Sequence, residues 1–134
     1  MVSRVRTVAV SEAEAKVFLD KAKQFMESAE DALEKGNWDA AAHNVVHAVI
    51  SVNDALLGAR HGMRSAGQSH KDAATLLAEK EATADAKKNA ARFLKVVNKK
   101  NLVQYEGRSV TEAEGRALMR DATRFYDWAT DKVG

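Results

Sequence analysis

The sequence predicts an all-α protein, an antiparallel bundle of four main helices with one additional short helix. Three observations support this fold class. The 134 residues include no proline, whose ring interrupts helices, whereas alanine, glutamate and lysine are plentiful. Apolar residues recur every three or four positions along four long segments, as on the buried face of a helix. Short capping motifs and glycines delimit these segments.

The first long helix is predicted to begin after Ser11. Ser11 and Glu14 have the spacing of a capping box, and Gly36 suits the position just past the end of the helix. Its predicted buried side chains are Phe18, Ala22, Phe25, Met26, Ala29 and Leu33. Residues 1–10 have no helical period, so we expect a flexible N-terminal arm, or a short strand against a partner, before a single helical domain at residues 11–134.

The second helix is predicted to span Asn37–His61, with Asn37 as its N-cap. Its apolar side chains cover more than half of the helix circumference. They are Ala42, Val45, Val46, Val49, Ile50, Val52, Leu56 and Leu57. One neighbouring helix cannot cover so wide an arc, so the second helix is expected at the centre of the bundle or in a dimer interface.

Three further helices follow. Ser69 can cap a short helix at about 72–80, and the fourth helix is predicted from about 83–85 to about Lys100. Thr111 and Glu114 form a second capping box that opens the last helix. The predicted buried side chains of the last two helices are Ala86, Ala90, Phe93, Leu94, Val97, Leu118, Ala122, Phe125 and Ala129.

Composition excludes several classes of function. The chain has no cysteine, which rules out disulfides, thiolate catalysis and cysteine-ligated metals. It has no apolar run long enough to cross a bilayer and no signal peptide, so we expect a cytoplasmic protein without membrane contacts. The net charge is +2, but it is unevenly distributed: residues 11–39 carry −4 and residues 85–108 carry +5. Such segments can pair within a bundle, pair across a dimer, or present a basic surface to an anion.

A narrow polar stripe interrupts the apolar second helix. Its members, spaced three or four residues apart and therefore on one face, are Asn44, His47, Ser51 and Asp54. Imidazole and carboxylate on one face could carry acid–base chemistry, whereas the alternative is a solvated strip or a hydrogen-bonded network. His43 and His47 have the spacing of metal ligands, but no third ligand is evident, so we expect neither a metal nor another cofactor.

Two basic segments could contact an anion. Lys88, Arg92, Lys95 and Lys99 share one face of the fourth helix and could follow a phosphate backbone; the alternatives are a solvated face or a partner for the acidic first helix. Residues 60–70 combine glycines with two arginines, which suits an anion site, although a plain interhelical loop explains the same composition.

From about Ala15 to Ala129, the order of its sequence segments makes the chain resemble HEPN (higher eukaryotes and prokaryotes nucleotide-binding) domains. The segments that carry the resemblance are Ala32-Leu-Glu-Lys-Gly, Trp38-Asp-Ala-Ala, His47-Ala-Val-Ile-Ser-Val-Asn-Asp-Ala-Leu-Leu, Gln68-Ser-His-Lys-Asp-Ala-Ala-Thr-Leu-Leu, Arg92-Phe-Leu-Lys-Val-Val, Lys100-Asn-Leu-Val-Gln-Tyr-Glu and Thr111-Glu-Ala-Glu. The resemblance implies a small helical bundle, often a homodimer, of the kind found in ribonuclease toxins, toxin–antitoxin pairs and nucleotidyltransferase-associated proteins. Ribonuclease members carry an arginine and, a few residues later, a histidine near the start of a late helix. At the corresponding place this chain has Lys100, Gln104 and Tyr105.

We therefore predict a noncatalytic module that binds a nucleotide or RNA, forms a homodimer and belongs to a toxin–antitoxin-like or stress/defence system, with an antitoxin or nucleotidyltransferase as protein partner. The predicted anion contacts are Arg60, Arg64, His70, Lys88, Arg92, Lys95, Lys99, Lys100 and Tyr105. One alternative is a metal-independent endoribonuclease whose candidate catalytic residues are His47, Asp54, Arg64 and His70. That hypothesis requires His47 or His70 within hydrogen-bond reach of Arg64 or Asp54. A protein–protein interaction module, the second alternative, requires an exposed apolar patch.

Overall fold

The helices of this chain account for most of the residues that the computed structural model describes, which are 5–67 and 69–134. In chain order the elements are β1 (Thr7–Ala9), α1 (Glu12–Glu34), α2 (Trp38–His61), β2 (Met63–Ser65), α3 (His70–Glu81), α4 (Ala84–Tyr105) and α5 (Glu112–Val133). The predicted all-α class is confirmed, with four long helices and a shorter α3. Strands β1 and β2 add a two-stranded antiparallel ribbon to the bundle.

Capping motifs set the helix ends as predicted. Ser11 Oγ accepts a hydrogen bond from the Glu14 amide and the Glu14 carboxylate accepts one from the Ser11 amide, both at 3.1 Å. Thr111 and Glu114 form the second box in the same way. Gly36 takes the left-handed conformation, with φ of 74°, that ends the turn after α1. Asn37 precedes α2 as predicted, but its side chain makes no capping hydrogen bond.

The N-terminal segment is corrected by the structure. Residues 7–9 are not a flexible arm: they pair with residues 63–65 of the same chain, and the Val10 amide donates to the Gly62 carbonyl over 2.9 Å. The alternative of a strand was right for residues 7–9, but the paired strand is β2 of the same chain, which follows α2. The physical reason is the buried Val10 side chain, which packs against the bare backbone of Gly58. Residues 1–4 lie outside the described residues.

Helices α3 and α4 extend further than predicted. Helix α3 begins at His70, directly after its cap Ser69. Helix α4 continues to Tyr105, five residues past the predicted end at Lys100. The additional turn contains the buried Val103, which gives it an apolar anchor in the bundle. These extensions place His70 and Lys100 on helices, where their directions are set by the backbone.

Helix α2 lies at the centre of the bundle and contacts each of the other four helices, as its wide apolar arc predicts. The apolar side chains predicted to be buried lie in the core, except for a few that are only half-buried. These exceptions are Phe18, Phe25, Leu33, Ile50 and Leu94. Two of them, Phe18 and Phe25, lie where α1 borders the polar stripe of α2, because each contacts a charged or titratable side chain there.

Candidate anion-binding site

Three histidines and one lysine from three helices lie together beside the polar stripe of α2. His43 and His47 come from consecutive turns of α2, and their ring centroids are 4.5 Å apart. His70 is the first residue of α3, and Lys100 lies on the last turns of α4; the charges of both act on His47. We call these four residues the cationic cluster. They converge because α3 and α4 both pack against α2.

The electrostatics of the cationic cluster lower the pKa values of two of its imidazoles, those of His47 and His70. Partial burial lowers the pKa of His47, and the positive charges of His43, Lys100 and His70 lower it further. Burial also lowers the pKa of His70, with Lys100 as the second cause. Because their pKa values are lowered, His47 and His70 are neutral at neutral pH, and each then offers one hydrogen-bond donor and one acceptor beside the Lys100 side chain. An arriving anion would reverse these pKa shifts.

No carboxylate among the described residues neutralises Lys100. Its ammonium donates instead to the amide oxygen of Gln104 over 2.9 Å. Lys100 and His43 line a groove of about 520 Å³ that Gln104 and Asp39 also border. The Asp39 carboxylate is already bound, since it accepts a hydrogen bond from the Val110 amide over 2.8 Å. The groove therefore leaves Lys100 and the adjacent histidines accessible to an external anion.

Aromatic side chains of α1 border the same face. The Phe25 ring centroid lies 5.4 Å from that of His47, and the Arg64 guanidinium lies 5.6 Å from the centroid of Phe18. Sequence reasoning assigned both phenylalanines to the core. Their spacing of seven residues placed them on one face, but only the packing of α1 on α2 shows that this face borders the polar stripe. Half-exposed aromatic rings beside cations can stack on nucleobases.

The polar stripe of α2 is not a hydrogen-bonded network. Asn44, Ser51 and Asp54 are half-buried, and their side chains make no hydrogen bond to any described residue. Asp54 faces Arg64: burial raises the pKa of Asp54 to about 6, although the positive charge of Arg64 lowers it in part. Neither His47 nor His70 forms a hydrogen bond with Arg64 or Asp54 within the described chain. The contact required by the ribonuclease hypothesis is thus not made here.

Residues 15–133 match the family model described as HEPN domain. The chain belongs to the HEPN domain family. The match covers nearly the whole chain and confirms the resemblance found in its sequence. A comparison with curated proteins finds no match. At the level of the family, the HEPN assignment supports a helical module related to nucleotides or RNA.

The basic face of α4 in this HEPN domain is largely bound to α5. Lys95 pairs with Asp121 at 3.3 Å and Lys99 pairs with Glu114 at 2.8 Å. The alternative in which the acidic first helix is the partner of this face therefore does not hold for these two lysines. Two neighbouring residues complete the face: Lys88 is exposed, and Arg92 donates to the Asn89 side chain. Sequence reasoning missed Arg120 and Arg124, which line a groove of about 610 Å³ with Lys95 and Lys99.

Arg60, another predicted anion contact, lies apart from the cationic cluster. Arg60 Nε donates to Glu81 Oε2 over 2.8 Å, and His61 Nε2 lies 2.6 Å from the same oxygen. Glu81 is the last residue of α3 and His70 is the first, so Arg60 lies at the opposite end of α3 from the cationic cluster. Tyr105 is 90% exposed. The structure therefore groups His70 and Lys100 and separates Arg60 from them.

No group of three or more histidine, aspartate or glutamate side chains in residues 5–67 and 69–134 could hold a metal ion. Over the same residues, no helix has both the length and the apolar character that crossing a bilayer requires.

Proposed function

We propose that this HEPN domain binds the phosphate group of a nucleotide or of RNA at the cationic cluster and does not cleave it. One observation carries the proposal: Lys100 lies beside two imidazoles without a carboxylate partner among the described residues, whereas Lys95 and Lys99 are paired with α5. An unneutralised ammonium next to neutral imidazoles offers several donors to phosphate oxygens. The adjacent groove supplies room for the ligand.

The noncatalytic part of the proposal rests on the position where ribonuclease members of the family carry their late histidine. Gln104 is close to that position, and its amide does not titrate, so it cannot act as a general acid or base. The alternative pair, Arg64 and His70, makes no mutual hydrogen bond; Arg64 donates instead to the Ser65 carbonyl. We therefore expect retention of RNA and not its hydrolysis.

A homodimer is part of the same proposal. Leu102 and Tyr105 are exposed one turn apart at the C-terminal end of α4, with 48% and 90% of their surfaces accessible. Two large exposed side chains one turn apart favour a protein contact at that end of the helix. An antitoxin or nucleotidyltransferase partner, and a role in a toxin–antitoxin-like or stress/defence system, stay predictions of the family resemblance.

Lys100→Gln tests the proposal, with Lys87→Gln as the matched control. Lys87 lies on the same helix, is exposed and loses the same charge. Binding of fluorescently labelled single-stranded RNA and of a labelled mononucleotide is measured by anisotropy at low and at physiological salt. We expect Lys100→Gln to weaken both by about five- to tenfold and to reduce the salt dependence, and Lys87→Gln to change affinity less than about twofold.

Three results would contradict this proposal. If the wild-type protein binds neither RNA nor the mononucleotide at low salt, the proposed phosphate site is refuted. Equal losses in both lysine variants point to nonspecific attraction and not to the cationic cluster. Cleavage of the RNA that disappears in His70→Ala would overturn the noncatalytic assignment.

A further inference from the structure

A second pair of opposite charges lies further along the face of α2 that carries His47. Asp54 follows His47 by seven residues, which places it on the same face and about 10 Å further along the helix axis. Arg64, on β2, faces Asp54 closely enough for its charge to act on the carboxyl group. The same face thus has the cationic cluster at one end and a carboxylate with a guanidinium at the other.

The Asp54 carboxylate has no protein partner among the described residues. It is half-buried, and it accepts no hydrogen bond and forms no ion pair with any residue in 5–67 or 69–134. A carboxylate that is partly removed from water and has no hydrogen-bond partner can gain from the N–H donors of a ligand. Both carboxylate oxygens of Asp54 are therefore acceptors that a ligand could satisfy.

Arg64, whose charge acts on Asp54, has unused hydrogen-bond donors. Its Nη1 donates to the Ser65 carbonyl oxygen over 3.3 Å, and no other hydrogen bond from its side chain reaches a described residue. The guanidinium has five N–H donors in one plane, so most of them are available. Its position 5.6 Å from the centre of the Phe18 ring adds an aromatic surface to the pair.

We infer that Asp54, Arg64 and Phe18 form a nucleobase subsite that prefers guanine. The inference rests on the proposed phosphate site, since the base would lie about 10 Å along α2 from His47, a separation comparable to that between phosphate and base in one nucleotide. Guanine offers two adjacent N–H donors on its Watson–Crick edge, which match the two oxygens of one carboxylate. Its O6 and N7 acceptors match an arginine fork. Phe18 supplies a stacking surface.

The other bases match this pair of side chains less well. Adenine and cytosine each place a ring-nitrogen acceptor beside their amino donor, so one carboxylate oxygen would face a lone pair. Uracil has a single N–H between two carbonyl oxygens. Guanine alone among the four presents paired donors to Asp54 and paired acceptors to Arg64.

Calorimetric titration with guanosine 5′-monophosphate, adenosine 5′-monophosphate and inorganic phosphate tests the subsite. The wild-type protein should bind the guanine nucleotide about tenfold or more tightly than the adenine nucleotide. Asp54→Asn should bring the two affinities close together or reverse their order, because an amide offers one donor and one acceptor, as adenine requires. Asp20→Asn on the exposed face of α1 is the matched control and should keep the preference.

Arg64→Lys provides a second variant that keeps the charge and removes the fork. It should weaken binding of the guanine nucleotide by about fivefold or more and leave the affinity for inorganic phosphate unchanged. The guanine subsite would be refuted if the wild-type protein bound both nucleotides with equal affinity and Asp54→Asn did not change this. That result would not contradict the proposed phosphate site. Absence of binding by all three ligands would overturn the proposed function itself, and the subsite with it.

Discussion

Replacing Asp54 by asparagine removes a carboxyl group that is half-buried on α2 and has no hydrogen-bond partner among the described residues. Burial raises the pKa of Asp54 from an ordinary value of 3.8 to about 6. Between these two values the folded protein binds the proton more tightly than the unfolded chain does. Stability therefore falls as pH rises through this range, and the loss is complete above about pH 6.

The expected effect follows from the size of the pKa change. One pKa unit corresponds to about 1.4 kcal/mol, so a rise of roughly two units lowers the free energy of unfolding by about 3 kcal/mol at neutral pH. Asparagine has nearly the same shape and no charge, so it avoids this loss. We expect Asp54→Asn to be more stable than wild type by up to about 3 kcal/mol at about pH 7.5, with the difference vanishing near pH 4.

Urea unfolding followed by far-ultraviolet circular dichroism measures this difference at both pH values. Asp20→Asn serves as the control and should show no comparable gain, since Asp20 is exposed. A variant no more stable than wild type at neutral pH would refute the reasoning, because it would mean that the Asp54 carboxylate is solvated or paired. We expect Asp54→Asn to increase stability and to reduce the preference for guanine. Such a trade-off between stability and function is expected of a residue that binds a ligand.

Two further predictions concern the cationic cluster and the N-terminal strand. Bound phosphate should raise the lowered pKa values of His47 and His70, so affinity should increase as pH falls from about 8 to about 6, by up to about tenfold per pH unit for each imidazole protonated on binding. Anisotropy titrations measure this, and pH-independent affinity would contradict it. Gly58→Ala should destabilise the protein by about 1–3 kcal/mol in urea unfolding, because a Cβ there would lie 2.5 Å from Val10 Cγ1. Gly115→Ala, whose Cβ would meet only ordinary contacts at 3.6 Å or more, should be neutral or stabilising, and equal losses in both variants would count against the close approach.

Much of the fold could be predicted because its signals are local. The capping box at Ser11 involves groups three residues apart, and the 3.6-residue period of α2 identifies its buried face without knowledge of the neighbours. The end of α4 was predicted too early, since the turn after Lys100 has mostly polar residues. Gly107, with φ of 66°, ends that segment, and the buried Val103 holds the extra turn against the core.

The candidate site was harder to predict, and Lys99 and Lys100 show why. Both were predicted to contact an anion, and they are adjacent in the chain. Successive residues of a helix point about 100° apart, so Lys99 reaches Glu114 on α5 while Lys100 lies beside the histidines. Charge pattern alone cannot distinguish them, because the distinction depends on which helix packs on each side of α4.

The sequence by itself therefore determined the helical class, the caps and the central place of α2, all of which depend on residues close together in the chain. Tertiary structure decided that His47, His70 and Lys100 share one surface, that Asp54 faces Arg64, and that the basic face of α4 is partly neutralised by α5. Electrostatic and hydrogen-bonding interactions act over a few ångströms in space. Residues far apart in sequence come within that range only when the helices pack.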